Sequence, residues 1–365
     1  MKFLIEQQVL DDALKTVQFA LLTRPSLPVL NNVHIQAIDD KVIFTLTDQE
    51  ITISCTADAD ISTEGSTTLP MRKIISIVRR LPSQPVSFTL GTEEFTEILC
   101  QEICFKIQGV TTDDFPEVFI ESYETSIPVS KESVRKLVIN TSFATGNDSS
   151  RPIISGPLLK FEANKFTCVA TDGKRLALES GKTDSEFEGL CVIPPKTTNA
   201  LMKLMAGVGD VVVSFNEKSV QFEFKNEFNQ ATLINSKLIE GKFPRYEAII
   251  PNGQENVAVI NRQELAECLK RIALILSETS QGVKLKFSNN FLKMHASTQD
   301  DESNEEMEVE YDGPEQTIAF NPAYLIDPLK RLENDTVTLH FTDSQKAASL
   351  KSGESFIYVL MPMRM

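Results

Sequence analysis

Histidine is scarce: the 365-residue chain has three, His34, His295 and His340, and none neighbours a serine, cysteine or carboxylate motif. A catalytic triad or an ordinary histidine base therefore has no candidate. The six cysteines, at 55, 100, 104, 168, 191 and 268, include no CxxC pair, which fits reduced and mostly buried thiols. Cys100 and Cys104 stand four apart in a strand-rich stretch, a spacing that puts both on one sheet face rather than around a metal. No apolar run approaches membrane-spanning length, and the opening MKFLIEQQVL places a glutamate and two glutamines where a secretory leader needs an apolar core. The expectation is a cytoplasmic chain with no membrane segment, no metal and no cofactor.

Phosphate-binding glycine loops are missing too. Gly181-Lys182-Thr183 imitates the end of GxxxxGK[ST], but Leu176 stands where the first glycine belongs. Gly207 and Gly209 continue as DVV, without the third glycine of a dinucleotide turn, and read as a helix-ending turn. The acidic run QDDESNEEMEVE (299–310) reads as a solvated loop and strand edge rather than a carboxylate metal site.

What is present is repetition. Three amphipathic helix candidates, IEQQVLDDALKTVQFAL (5–21), VSKESVRKLVINTSFAT (129–145) and INRQELAECLKRIALIL (260–276), open three copies of one pattern. Leu10, Leu14 and Phe19 match Val134, Val138 and Phe143 at an offset of 124, with Leu265 and Leu269 in register in the third copy. Each copy then carries a strand, a proline and a second helix, in TTLPMRKIISIVRRL (67–81), CVIPPKTTNALMKLM (191–205) and TIAFNPAYLIDPLKRL (317–332). Proline suits a first helical turn, where its missing N–H would be unpaired anyway. Alternating segments such as KVIFTLTDQEITISC, KFTCVATDGKRLALES and FLKMHASTQDDESNEEMEVEY predict antiparallel strands between the helices, and Asp48 and Asp172 again differ by 124. The predicted class is α+β, in three repeats of 1–124, 125–252 and 253–365, with linkers near SYETSIP and PNGQEN.

A net charge of −15 argues against nucleic acid if the charge is evenly spread, and it is not. The six helix windows hold 15 lysines and arginines against 7 aspartates and glutamates, leaving −23 on the rest of the chain. In the second helix, a turn of 100° per residue puts Arg72, Lys73, Arg79 and Arg80 on one stripe, opposite Ile74, Ile75, Ile77, Val78 and Leu81. One such stripe is the pattern of any solvated helix face. Its recurrence predicts a positive lining inside an acidic shell, holding phosphates without reading bases. Candidate DNA contacts are Arg72, Lys73, Arg79, Arg80, Lys131, Arg135, Lys136, Arg151, Lys196 and Lys203, with Arg24 in the loop segment TRPSLPVL. The first helix is the exception, because Glu6, Asp11 and Asp12 outnumber Lys15.

The runs SLPVLNNVHI, LTDQE, TTLPMRKIISIVRRLP, DDFPEV, VATDGKRLAL, SKLIEGKFPRY and YVLMPMRM, in this order along the whole chain, resemble the bacterial β sliding clamps, processivity subunits of DNA polymerase III. The resemblance implies the DNA clamp fold, with two helices per domain on the inner side of a ring and sheets outside, in a head-to-tail homodimer around double-stranded DNA. A heterologous interface of that kind needs complementary edges; the resemblance assigns Phe105 and Ile107 to one and Ile275 and Leu276 to the other. It also implies a groove for linear motifs of replicative polymerase, clamp loader and repair proteins. The groove is walled by Ile154, Thr171, Gly173, Lys174, Arg175, Leu176, Pro244, Ile249, Asn321, Tyr324, Val359, Met361, Met363 and Arg364. Methionine suits such a site because its unbranched, polarisable side chain repacks around different guests. Ala248 and Gln345 depart from residues found at the rim and wall in relatives, and Pro328 should kink the last helix by removing a backbone hydrogen bond.

Two other readings compete with a clamp. A hydrolase with paired carboxylates would need convergent acids whose pKa values are driven apart. A protein-only adaptor would keep the groove and have no use for cationic helix faces.

Overall fold

The computed structural model describes residues 1–22, 27–116, 123, 126–148, 150–276 and 282–363. Its chain divides into two compact units, one of residues 1–135 and 193–239, the other of residues 136–192 and 240–365. The middle of the sequence therefore contributes to both.

The helices fall where the apolar periodicity put them: α1 (Gln7–Val17), α2 (Met71–Val78), α3 (Lys131–Thr141), α4 (Pro195–Leu204), α5 (Arg262–Ile272) and α6 (Pro322–Leu329). The matched apolar residues Leu10, Leu14, Val134, Val138, Leu265 and Leu269 are all buried. Pro70 and Pro194 occupy the N-cap positions of α2 and α4, and Pro322 opens α6. Pro328 lies within α6, which ends one residue later. Proline cannot supply the N–H the ladder needs, and a short helix minimises that loss.

In the first unit, a five-stranded antiparallel sheet runs in the order Asp60–Thr63, Lys2–Glu6, Pro85–Leu90, Phe95–Cys100, Ile103–Gln108. An eight-stranded sheet runs Ile127–Ser130, Asp210–Phe215, Ser219–Lys225, Ala231–Lys237, Ile51–Asp58, Lys41–Thr47, Asn32–Ile38, Gly65–Pro70. In the second unit, the eight-stranded sheet runs Gly189–Val192, Leu158–Glu162, Lys165–Thr171, Arg175–Lys182, Phe356–Leu360, Ala348–Ser352, Thr336–Phe341, Asn256–Asn261. Its companion has four strands, Glu302–Glu308, Phe291–Ser297, Val283–Ser288 and Gln316–Phe320.

The two large sheets are built alike, each joining four strands of one sequence repeat to four of the next. Ile53 pairs with Ile234 in the first, and Ala177 with Tyr358 in the second, both shifted by 124. Repetition therefore extends to the register of the seam. One face of the first seam buries an apolar row, with Ile51, Ile53 and Cys55 inward, so a one-residue slip would turn the core set outward.

The expectation for Cys100 and Cys104 is corrected. A turn at Gln101, with positive φ, separates them, and Cys104 pairs with Leu99 on the neighbouring strand. Cys100 is buried and Cys104 exposed, on opposite faces. Among the described residues no group of three or more His, Cys, Asp or Glu could hold a metal, and no helix is long and apolar enough to cross a membrane.

Candidate functional site

The described residues that the resemblance assigns to a groove all belong to the second unit, and a hairpin carries five of them, Thr171, Gly173, Lys174, Arg175 and Leu176. Lys165–Thr171 turns into Arg175–Lys182 through Asp172, whose Oδ1 accepts the backbone N–H groups of Lys174 and Arg175 at 2.8 and 3.0 Å. Thr171 Oγ1 donates to the Arg175 carbonyl at 2.7 Å and accepts from Gly173 N at 3.1 Å. Gly173 takes φ +87, which side chains disfavour, and a Cβ there would lie 3.3 Å from Arg151 Nη1. The turn's shape is set by its own polar side chains, a local sequence property.

Beyond the turn, Leu176 pairs with Val359 and both are buried. Past the end of the Phe356–Leu360 strand, Met361 N donates to the Lys174 carbonyl at 3.3 Å and Met363 N to the Ala319 carbonyl at 2.7 Å. The C-terminal segment is thereby tied to the hairpin on one side and to the strand before α6 on the other. Met361 stays 49% exposed and Ile249 46%. Ile154 is buried, and its carbonyl accepts Gly146 N at 2.8 Å. The exposed Pro244 follows Gly241, whose backbone runs beside Ile153. Asn321 caps α6 by accepting Ala323 N at 2.9 Å. Ala248 and Gln345 are both exposed.

Arg175 is the most heavily bonded of these residues. Its Nε donates to Asp172 at 3.1 Å, Nη1 to Asp327 at 2.6 Å and Nη2 to the Phe143 carbonyl at 2.9 Å. The guanidinium plane lies 4.5 Å from the centre of the Tyr324 ring. Burial is the largest single influence and works against its charge, but the interactions with Asp327 and Tyr358 together outweigh it, so Arg175 stays cationic. Tyr358 donates its hydroxyl to the Tyr324 carbonyl at 2.8 Å, and burial pushes its phenol well above the usual range. Arg175 thus serves as a brace for Tyr324, with three of its five N–H donors committed within the unit. Asp327 and Phe143 were not singled out from the sequence. Phe143 was visible only as an apolar repeat match, and nothing local marks Asp327 as a partner 152 residues away from Arg175.

The proposed DNA contacts divide into two sets. Arg72, Lys73, Arg79, Arg80, Arg135, Lys136 and Lys203 are exposed. On α2 the opposite face carries the buried Ile74, Ile75 and Val78. Arg79 donates to Gln18 at 3.3 Å and pairs loosely with Asp11 at 3.8 Å, and Arg80 donates to the Ser76 carbonyl at 3.2 Å. Two others are corrected. Lys131 is 3% exposed and donates to the Lys225 carbonyl at 2.9 Å, so its ammonium supports the fold. Lys196 is committed to the Asp48 carboxylate and the Ala20 carbonyl. Arg151 is exposed, oriented by Asp148 at 3.0 Å, and stands against Gly173. Arg24 and Arg364 lie outside the described residues.

Of the four assigned interface residues, Ile107 is buried and Phe105 half-buried on Ile103–Gln108, the free edge of the five-stranded sheet. Ile275 and Leu276 are half-buried against the second unit's core, and their neighbour Leu274 is 82% exposed.

Three domain families match in succession: DNA polymerase III beta subunit N-terminal domain over residues 1–119, central domain over 128–245 and C-terminal domain over 247–364. The chain belongs to the β sliding clamp family. The beta sliding clamp of Pseudomonas aeruginosa is 30% identical over 375 residues, and that of Chlamydia pneumoniae 29% over 370, covering 100% of this chain and 100% and 99% of theirs. The crystal structure of the P. aeruginosa DNA polymerase III subunit beta superposes with a TM-score of 0.94 at 29% identity, over the whole of both chains. A second P. aeruginosa clamp structure, bound to griselimycin, gives the same TM-score and identity over the same extent. Membership makes this a sliding clamp of DNA replication with the three-domain α+β clamp fold. The family is one of non-catalytic processivity factors.

Proposed function

We propose that two copies of this chain close head to tail around double-stranded DNA and tether the replicative polymerase through the groove of the second unit. The observation that carries this reading is the segregation of charge. Exposed cations line helix faces whose other sides are core, on a chain of net charge −15. Phosphates would meet Arg72, Lys73, Arg79, Arg80, Arg135, Lys136 and Lys203 through contacts that carry no base information, which permits sliding. Processivity then follows from effective concentration, with no chemistry and no cofactor.

Two sheet edges, unpaired among the described residues, support closure. Ile103–Gln108 ends the five-stranded sheet of the first unit and carries Lys106; Glu302–Glu308 ends the four-stranded sheet of the second and carries four glutamates. Unpaired edges of opposite charge invite strand addition between copies, with Phe105, Ile107, Ile275 and Leu276 at the junction. The three sequence repeats, 1–124, 125–252 and 253–365, would then supply six domains to a cytoplasmic ring. The groove would take linear motifs from polymerase, clamp loader and repair proteins.

The test is topological. Protein loaded onto nicked circular DNA should be retained through gel filtration and released when the circle is cut. Equal release from both forms rejects encirclement and favours the adaptor reading. The mass in solution should be twice that of the chain.

A further inference from the structure

Four side chains of the second unit form a layered stack. The Tyr324 ring lies 4.5 Å from the Arg175 guanidinium, that guanidinium lies 5.6 Å from the Phe143 ring, and the Arg331 guanidinium lies 5.4 Å from the same ring. Cation and ring alternate throughout, and Arg331 at the far end is exposed. Phe143 is half-buried, packs on the unit's core and approaches the Tyr358 ring at 5.7 Å.

We propose that Phe143 and Arg331 are positioning residues for the groove: Arg331 holds Phe143, Phe143 holds Arg175, and Arg175 holds the Tyr324 ring in the wall a guest meets. Neither Phe143 nor Arg331 belongs to the wall set itself. The geometry gives each a means of acting at a distance. Arg175 has its in-plane donors held by Asp172, Asp327 and the Phe143 carbonyl, and the neighbouring rings add resistance to tilting out of that plane. Phe143 and Tyr324 both lie against the guanidinium, at 5.6 and 4.5 Å from ring centre to Cζ. Removing the Phe143 ring takes away one of these two contacts, and Tyr324 is left against a less firmly held Arg175. A guest then has to order that wall itself, which lowers affinity although every group it touches is still present. Arg331 acts one layer further out by attraction to the ring quadrupole.

This inference rests on the groove reading, and the probe is griselimycin, the ligand in the P. aeruginosa clamp structure. Binding to the full chain would be measured by calorimetry for Phe143→Leu, Phe143→Tyr, Arg331→Gln and the double variant Phe143→Leu/Arg331→Gln, each below its melting transition. Phe143→Leu should weaken binding about tenfold and Phe143→Tyr by less than about twofold, since the ring remains. Arg331→Gln should weaken it by roughly threefold, and the double variant should bind no worse than Phe143→Leu alone, because Arg331 acts only through the ring. Additive losses, or an Arg331→Gln variant that binds like the parent, overturn the relay. If Phe143→Leu does not fold, the surface variant Arg331→Gln beside Phe143→Tyr decides the matter. A parent chain that does not bind griselimycin overturns the groove reading and this inference with it.

Discussion

Asp48 and Asp172 stand 124 residues apart and do the same job: each accepts the N–H groups of the second and third residues after it, at 2.9 and 2.7 Å for Asp48 and 2.8 and 3.0 Å for Asp172. Their second oxygens diverge. Asp48 takes the ammonium of Lys196 at the start of α4, whereas Asp172 takes Arg175, which hands on to Asp327 of α6. The same turn serves as a structural clasp in the first unit and holds Arg175 in the second. Asp48→Ala, which leaves a mostly buried lysine without its counter-charge, should cost about 2–4 kcal/mol of stability. Asp172→Ala should cost less, about 1–2 kcal/mol, but should also weaken griselimycin binding, which Asp48→Ala should leave unchanged. Urea unfolding beside calorimetry checks both; equal effects of the two variants on ligand affinity would refute the division of labour.

Charge reversal at Arg79 and Arg80 should weaken retention on DNA while leaving the melting temperature within about 2 °C, because exposed, peripherally bonded cations contribute little to stability. The slope of log affinity against log salt should fall by about 0.9 for each phosphate that is no longer neutralised. Lys131→Ala should do the opposite, lowering the melting temperature because the bond to Lys225 is gone, with little change in that slope. An unchanged salt slope for the Arg79 and Arg80 variant would count against the lining.

Thiol chemistry should single out Cys104. Cys55 and Cys168 are buried, and burial pushes both thiols up to about 12, where the nucleophilic thiolate is negligible at pH 8. Brief alkylation of the native protein with iodoacetamide should add one group, at Cys104, found by peptide mass mapping. Labelling of Cys55 or Cys168 at a comparable rate would mean that the strand seams open far more often than their burial allows.

Deleting residues 361–365 removes the bonds from Met361 to Lys174 and from Met363 to Ala319. Griselimycin binding should disappear, and the mass of the assembly in solution should stay the same, because neither sheet edge assigned to the junction is touched. A truncated chain that binds as the parent does would place the ligand elsewhere.

The helices, the strand-proline-helix units and the turn aspartates were legible because they are local: apolar spacing, proline placement and a polar turn residue each act within a few positions. What escaped was set by distant neighbours. Lys131 looks like any first-turn helix lysine until Gly209 and Lys225 close over it, with its backbone N–H bonded to Gly209 at 2.9 Å. Arg151 follows a serine-rich loop, and only the hairpin around Gly173 shows where its guanidinium goes. Cys100 and Cys104 misled because their spacing was read as one strand, and a reversal at Gln101 divides it into two. The groove wall came from resemblance alone; its brace, Asp327, has no local signature.

The seam that pairs Ile53 with Ile234 has a consequence for how the protein is made. As the ribosome proceeds from the N-terminus, the first unit lacks half its large sheet until residue 237 has emerged, and the 57 residues of 136–192 must meanwhile wait outside it for partners not yet synthesised. Pairings of such long sequence separation form slowly and leave strand edges bare. A nascent chain stalled near residue 190 is therefore the form most exposed to aggregation, and the middle repeat, excised by itself, has no partner for either of its halves.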